Sequence, residues 1–230
     1  MTSQDIIARV LYRDALMLVI DKPAGLPVHP GPKGGETLAS HLDALRFGLP
    51  RRPEAAHRLD RDTSGCLVLG RHPKALGRLG DLFRRNVVEK LYWAAVEGGP
   101  AADAGEIDLA LAPRSPERGW WMRVDPAGQP ALTRWRVLGR CDGATWVELR
   151  PVTGRTHQLR VHCAAMGWPI RGDAIYGTAP RFDGSGLCLH ARAVTVPLYP
   201  KKPAITVEAP VPPRMRLTLE PLAGAAPQPS

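Results

Sequence analysis

The chain has 230 residues, 44% of them hydrophobic and 23% charged, a balance that excludes a disordered or fibrous protein and favours a folded globular one. The length favours a single domain of mixed structure. Lysine and arginine number 31 against 22 acidic residues, giving a net charge of +9. This surplus favours a polyanionic partner, because a basic surface releases counterions when it meets phosphates, although a protein that is simply basic explains it equally well.

The sequence also indicates the cellular location of the protein and the state of its cysteines. The N-terminus lacks the layout of a secretory signal, and no apolar run is long enough to cross a bilayer, so we expect a cytoplasmic protein. The four cysteines, Cys66, Cys141, Cys163 and Cys188, are scattered without paired spacing. We expect free thiols in a reducing compartment, and neither a zinc site nor a disulfide framework is indicated.

In the first half of the chain, apolar runs and turn residues predict the order of the elements. Residues 10–20 predict two short strands around Arg13-Asp14, and 64–69 predict a buried strand. The remaining predictions for this half are helices over 37–47 and 73–87 and a strand over 90–96.

The second half of the chain has weaker signals. Residues 100–130 are rich in Gly, Pro and Arg and predict irregular structure. A short helix is predicted over 156–166, because Gly167 and Pro169 stop it. Strands are predicted over 132–138, 145–149, 194–196 and 205–207.

Strands and helices alternate irregularly, with hairpin-type connections and no internal repeat. This order predicts an α+β fold with a mixed, largely antiparallel β-sheet flanked by helices and loops. We expect one domain over residues 1–220. Small residues and proline predict a disordered tail over 221–230.

A polar loop leads into the buried strand predicted over 64–69. Asp60 lies in this loop, and Arg58 and Arg61 flank it. Nearby cations favour an ionised carboxylate, which can act as a nucleophile, and loops attached to rigid strands often carry catalytic groups. Taken alone, the segment fits a surface turn slightly better, since Asp, Thr and Ser readily bind backbone amides.

Four segments of the chain resemble, in order, the motifs of the RluA-type pseudouridine synthases. Residues 57–65, His-Arg-Leu-Asp-Arg-Asp-Thr-Ser-Gly, are similar to the family signature. The other three segments are 22–25 with 28–30, 90–94, and 154–162 followed by Gly172-Asp173. One short motif would be weak support, whereas four in the same order identify the chain as a member of this family.

The resemblance implies a pseudouridine-synthase-like domain that isomerises uridine in RNA without a cofactor or a metal. The aspartate at the position of Asp60 is essential in this family. Tyr92 corresponds to the tyrosine that stacks on the uracil, and Arg160 to the arginine that pairs with the aspartate. Attack of the carboxylate on the sugar, through a glycal, and addition to the base are both open as routes.

The resemblance also implies contacts with RNA. A base inside a helix must be flipped out, and Arg58 corresponds to the arginine that fills the vacated space. Arg61, Lys90 and Arg155 are further candidate RNA-binding residues. Arg155 is expected at a helix start, where an anion such as phosphate is favoured, and its role could be exchanged with that of Arg160 if the helix register differs. The expected partner is tRNA, large-subunit rRNA or both, bound by a monomer that does not contact membranes.

Many members of this family carry an additional N-terminal RNA-binding domain, which we expect this chain to lack. RNA would then dock on the basic surface of the catalytic domain itself. Trp120 and Trp121, with Arg114, Arg118 and Arg123, form a candidate docking patch. A hairpin in which both Trp side chains pack inward is the equally open alternative.

Two other functions compete with the synthase. One is a non-catalytic RNA-binding or RNA-folding protein on the same fold, which the presence of all three catalytic candidates disfavours. The other is a hydrolase that uses Asp60, Asp62 and His57, which would need more clustered carboxylates than the chain offers. The histidines of the motifs, His57, His157 and His162, are expected to make structural hydrogen bonds, because their spacing does not suit zinc.

Overall fold

A computed structural model describes residues 1–31, 34–115, 121–141, 143–180, 184 and 186–223. The strands are β1 (Val10–Arg13), β2 (Met17–Lys22), β3 (Glu54–Ala55), β4 (Ser64–Gly70), β5 (Glu89–Glu97), β6 (Ala104–Asp108), β7 (Leu111–Pro113), β8 (Met122–Val124), β9 (Leu132–Cys141), β10 (Ala144–Pro151), β11 (Leu189–Val196) and β12 (Ile205–Glu208). The helices are α1 (Ser3–Ile7), α2 (Pro73–Arg84), α3 (Gln158–Ala165) and α4 (Pro213–Ala223), with a 3₁₀ helix over Leu38–Leu45.

The described residues form two compact units. The first comprises Met1–Lys90 and Ala191–Pro210. The second comprises Leu91–His190 and the described part of Val211–Ser230. Each unit has strands that pair with one another and its own set of buried side chains.

In the first unit, β1, β2, β4 and β11 lie side by side, with β12 on β11 and β3 on β4. β2 and β4 are antiparallel, and Ile20 lies opposite Leu67. The apolar run of β2 and the whole of β4 are buried, as their sequences predict. Gly70 allows α2 to pack on the end of β4, because a Cβ there would lie 2.6 Å from Cα of Leu76.

In the second unit, β5, β10, β9 and β6 form antiparallel neighbours in that order. Side chains of β5 and β10, such as Ala94 and Val147, are fully buried in one hydrophobic cluster. Cys163 of α3 and Leu219 of α4 belong to the same cluster. The two helices therefore pack against these strands, and the β7–β8 hairpin contributes to a smaller cluster around Leu111.

The predicted fold class, α+β with a mixed and largely antiparallel sheet, is confirmed. The prediction of irregular structure over 100–130 is wrong, because β6, β7 and β8 lie there. β6 is stabilised by pairing with β9, a partner far along the chain that a local pattern does not show. Helix α4 was not predicted, and it includes the first three positions of the expected tail, whereas 224–230 lie outside the described residues.

The predicted state of the cysteines is confirmed. All four are free thiols, and Cys66, Cys163 and Cys188 are buried while Cys141 is exposed. Burial raises the pKa of the Cys66 thiol to about 12, so it is protonated and unreactive at neutral pH.

Candidate active site

The loop that precedes β4 presents Asp60 at the surface of the first unit. Asp60 is partly buried, while Arg58 and Arg61 on either side are exposed. The backbone N–H of Thr63 donates to the carbonyl of Asp60 at 3.2 Å, which closes a turn immediately before the strand. Arg61 forms an ion pair with Asp62 at 3.0 Å. The turn fixes the backbone that carries the carboxylate.

A buried lysine holds this loop from behind. Lys22 is 0% exposed, and its Nζ donates to the carbonyl oxygens of Pro23, Leu26 and Arg61 at 2.8, 2.8 and 3.0 Å. The carbonyl of Arg61 also accepts from the N–H of Gly25, a glycine with a φ of 85° that other residues rarely adopt. Lys22 and Gly25 belong to one of the four motifs, and nothing in the sequence predicts either role.

The ammonium of Lys22 is also an electrostatic element of the loop. Burial lowers the pKa of Lys22 to about 8, and the negative charges of Asp62, Asp60 and Asp21 partly oppose that shift. At neutral pH the side chain is therefore mostly an ammonium, whose three N–H groups match the three carbonyl acceptors. It places a fixed positive charge close to the carboxylate of Asp60.

His57 anchors the start of the same loop. Its Nε2 accepts the backbone N–H of Val68 in β4 at 3.0 Å, and its ring stacks on Phe83 of α2 with centroids 4.3 Å apart. Burial, together with the charge of Lys90, lowers the pKa of His57 to about 3. The ring is therefore neutral at physiological pH, and the expected structural role of His57 is confirmed.

Lys90, a candidate RNA-binding residue, is the second residue of β5, the strand that also carries Tyr92. It is partly buried, and burial lowers its pKa to about 8. Tyr92 lies on β5 opposite Leu149 of β10 and packs against the hydrophobic cluster of the second unit. The predicted strand position of Tyr92 is confirmed, and its side chain is partly buried.

Arg160 lies on α3 and is 4% exposed. Its Nε and Nη2 donate to the two carboxylate oxygens of Asp173 at 2.7 and 2.8 Å, and its guanidinium lies 5.3 Å from the ring centre of Tyr176. Burial works against ionisation of Asp173, but the hydrogen bonds and charge of Arg160 keep the pKa of Asp173 below its ordinary value. Asp173 belongs to one of the four motifs, but nothing in the sequence predicts this role. The pairing of Arg160 with Asp60 stays a prediction.

α3 begins two residues later than the predicted start at 156, and Arg155 lies in the segment that precedes it. His157 is the N-cap residue and has a left-handed φ of 53°, so the helix begins at Gln158. Arg155 therefore lies two residues before the N-cap, and not at the helix start where it was expected. The surroundings of Arg155 and Arg160 still differ, since Arg155 is partly exposed and its Nε donates to the carbonyl of Pro130 at 3.0 Å.

Buried polar side chains fix α3 on β9. The Gln158 amide donates to the carbonyl of Leu132 and the hydroxyl of Thr133, both at 3.0 Å. The two ring nitrogens of His162 lie 2.9 Å from the hydroxyl of Thr133 and 3.0 Å from the carbonyl of Leu109, and burial lowers the pKa of His162. With Nδ1 of His157 2.8 Å from the hydroxyl of Tyr176, the expected structural hydrogen bonds of these histidines are confirmed.

The candidate docking patch is only partly described. Trp121 is 7% exposed, and the guanidinium of Arg114 lies 5.7 Å from its ring centre. Arg123 is exposed and pairs with Asp125 at 2.8 Å. Trp120 and Arg118 lie outside the described residues. For Trp121 the inward-packed alternative is correct.

Within the described ranges, no three His, Cys, Asp or Glu side chains are grouped so that they could hold a metal ion. None of the helices described in the structure is both long and apolar enough to cross a membrane.

Known proteins resemble this chain over most of its length. The family model for RNA pseudouridylate synthase matches residues 16–165. An uncharacterized RNA pseudouridine synthase of Zymomonas mobilis is 48% identical over 89% of this chain and 94% of its own. Ribosomal large subunit pseudouridine synthase C of Vibrio cholerae is 40% identical over 76% of this chain and 54% of its own. Among solved structures, human RNA pseudouridylate synthase domain containing 4 superposes with a TM-score of 0.80, at 28% identity, over 95% and 94% of the two chains.

Proposed function

Since the chain belongs to the RNA pseudouridylate synthase family, we propose that it isomerises specific uridines in tRNA, large-subunit rRNA or both, with the carboxylate of Asp60 as the nucleophile. The ribosomal assignment is supported by the name of the relative from Vibrio cholerae. The basic net charge of +9 supports an RNA partner of either kind.

The observation that carries the role of Asp60 is the anchoring of its loop. The buried ammonium of Lys22 binds the carbonyl of the next residue, Arg61, and Thr63 closes the turn on Asp60 itself. A surface ion-pair partner needs no such support. A nucleophile does need it, because small errors in the position of a reacting group are costly in rate.

The proposed reaction requires a carboxylate and consumes no other reagent. In one route the Asp60 oxygen attacks C1′ of the ribose, the bond from C1′ to N1 breaks, and its electron pair goes to the uracil ring; in the other the oxygen adds to the base. After the ring turns, C5 bonds to C1′, and the bond from Asp60 to the sugar or to the base breaks and restores the carboxylate. The proton on C5 is then lost and N1 takes up a proton. Reactant and product have the same atoms, so no oxidant or reductant is needed.

The other candidates have supporting roles in this proposal. Tyr92 stacks on the uracil and, as the family resemblance implies, takes part in the proton transfer from C5. Arg160 pairs with Asp60, and Asp173 holds the Arg160 guanidinium in one orientation. Arg58 enters the space left by the flipped base, at a cost of unstacking of a few kcal/mol.

Arg61, Lys90 and Arg155 bind phosphates of the RNA in this proposal. Arg61 is exposed, and Arg155 is partly exposed, so both can reach a polyanion. Lys90 is partly buried and loses charge above about pH 8, which predicts weaker RNA binding at alkaline pH.

Tritium release tests the proposal directly. Bulk RNA transcribed without modification and labelled at C5 of uridine is incubated with wild type, Asp60→Asn and Asp81→Asn, the last an exposed carboxylate on α2. We expect release by wild type and Asp81→Asn and none by Asp60→Asn, with equal thermal unfolding. Full activity of Asp60→Asn overturns the role of Asp60. A wild type that binds RNA and releases no tritium supports the non-catalytic alternative.

A further inference from the structure

The second unit contains a cavity of 510 Å³ between the β7–β8 hairpin and the segment that precedes α3. Its apolar wall is formed by Leu111, Pro113 and Met122, and its polar rim by Gln129, Arg155 and Thr156. None of Asp60, Tyr92 and Arg160 lines it. The volume lies within the range of small-molecule sites in proteins.

The cavity has firm walls. Leu111 and Gln129 exchange backbone hydrogen bonds at 2.9 and 2.8 Å across the base of the hairpin. The N–H of Met122 donates to the hydroxyl of Tyr176, which lies 2.8 Å from His157 at the start of α3. The hairpin and the helix start are thus joined through one tyrosine side chain, and the space between them is preformed.

The lining has the chemistry of a nucleotide site. Arg155 uses Nε to hold the carbonyl of Pro130, and a guanidinium has four further N–H donors in a planar fork that suits phosphate. Of the described residues that line the cavity, none is an Asp or a Glu, so an anion meets no negative charge among them. The opposite wall is apolar, and a methionine such as Met122 packs well on an aromatic ring. A nucleotide has both of the groups that this lining suits, a phosphate for Arg155 and a flat base for the apolar side chains.

The cavity also lies close to Arg160, a candidate catalytic residue. The ring of Tyr176, whose hydroxyl joins the cavity walls, lies under the guanidinium of Arg160 at 5.3 Å. Arg155 at the rim and Arg160 are five positions apart in the chain. A strand of RNA that brings a uridine to Arg160 therefore passes close to the cavity.

We propose that this cavity binds an unpaired nucleotide of the substrate RNA next to the target uridine, with its base on the Leu111 and Met122 wall and its phosphate on Arg155. The inference rests on the proposed function and extends it to the choice of substrate. The base that enters the cavity then contributes to selecting which uridine is modified, and a target must have an unpaired neighbour.

Methyl NMR tests occupancy without requiring catalysis. The chain has five methionines, and Met122 lines the cavity, while Met17 is fully buried in the first unit and acts as the internal control. With methyl-labelled methionine, and Met122→Leu to assign the resonance, pentauridylate is compared with an abasic oligomer of equal length. We expect a ring-current shift of the Met122 methyl with pentauridylate only. No shift at saturation, or equal shifts with both oligomers, overturns the proposal.

A cavity-filling variant tests the consequence for activity. Ala127 lines the cavity on an exposed turn, so Ala127→Trp fills the site without disturbing the core. Ala102→Trp, at an exposed position outside the cavity, is the matched control. Loss of one stacked base predicts a KM for bulk unmodified RNA raised about tenfold by Ala127→Trp, with kcat unchanged. Equal KM values for the two variants overturn the proposal. A failed synthase proposal would be recognised separately, as full activity of Asp60→Asn.

Discussion

The guanidinium of Arg160 and the carboxylate of Asp173 are joined by two parallel hydrogen bonds, and the side chains are only 4% and 0% exposed. The same carboxylate accepts the backbone N–H groups of Ile175 and Tyr176. The Asp173 carboxylate thus accepts four hydrogen bonds, which offset the cost of burying its charge. The arginine is therefore held in one orientation before any RNA arrives.

Removing the charge of Asp173 should destabilise the fold and do so in a pH-dependent way. We expect Asp173→Asn to lower the free energy of unfolding at pH 7 by about 3–5 kcal/mol, because it leaves the Arg160 charge buried without its counter-ion. The pKa of Asp173 in the fold lies below the ordinary 3.8, so its contribution is present above that pH and is lost as the pH falls further. Urea unfolding at several pH values should show the two proteins converging below pH 3.8. A difference that is constant with pH contradicts this, and Asp103→Asn, at an exposed carboxylate, is the control.

Lys22→Met should weaken both the fold and the reaction. The variant leaves three buried carbonyl acceptors without their donor, which predicts a loss of roughly 3 kcal/mol or more in the free energy of unfolding. Because Arg61 follows Asp60 directly, we expect kcat to fall more than RNA affinity. Chemical denaturation and tritium release measure the two effects. Lys201→Met, at an exposed lysine, should change neither, and a kcat equal to wild type would contradict the anchoring of the loop.

Alanine substitutions at two glycines of the first unit should change the stability of the fold in opposite directions. Gly65 has a φ of 106°, and a Cβ there would lie 2.3 Å from the carbonyl oxygen of Ala191, so we expect Gly65→Ala to cost more than about 3 kcal/mol. Gly77 lies within α2 with open space around it, so Gly77→Ala should stabilise by about 0.5–1 kcal/mol. Thermal unfolding measures both. A stable Gly65→Ala protein would show that β4 and β11 can separate slightly.

His57 should make the fold sensitive to mild acid. Its pKa is lowered from 6.5 to about 3, so between these values the unfolded chain binds a proton that the folded one does not. Stability is then full at and above pH 6.5 and falls as the pH drops towards 3, by up to about 1.4 kcal/mol per pH unit. Unfolding of His57→Gln from pH 7 to pH 4 should show a shallower slope than wild type. The exposed His29→Gln should keep the wild-type slope; parallel curves for wild type and His57→Gln contradict the assignment.

Elements with strong local patterns were predictable from the sequence. The apolar run of β2, the buried strand β4 and the amphipathic helix α2 all lie where residue types and spacing place them. β6 was not predictable, since its stability comes from pairing with β9 rather than from its own alternation. The start of α3 was misplaced by two residues because His157 takes a left-handed conformation that the sequence does not announce.

The motif residues of the candidate site could be predicted from the sequence, but the residues that hold them in place could not. Asp60, Tyr92 and Arg160 could be named by resemblance to a family. Asp173 is thirteen positions from Arg160, and only folding shows that they meet. Lysine side chains are almost never fully buried in proteins. The complete burial of Lys22, in a motif that contains Pro and Gly, was therefore not predictable from the sequence.

The three carbonyl oxygens around Lys22 form the kind of oxygen shell that a bound metal ion occupies in many loops. Here the cation is tethered to the polypeptide, so dilution and chelators cannot remove it. Its occupancy is set instead by protonation, since a neutral amine has one N–H fewer than an ammonium. For this loop, a rise in pH past about 8 is the counterpart of adding a chelator.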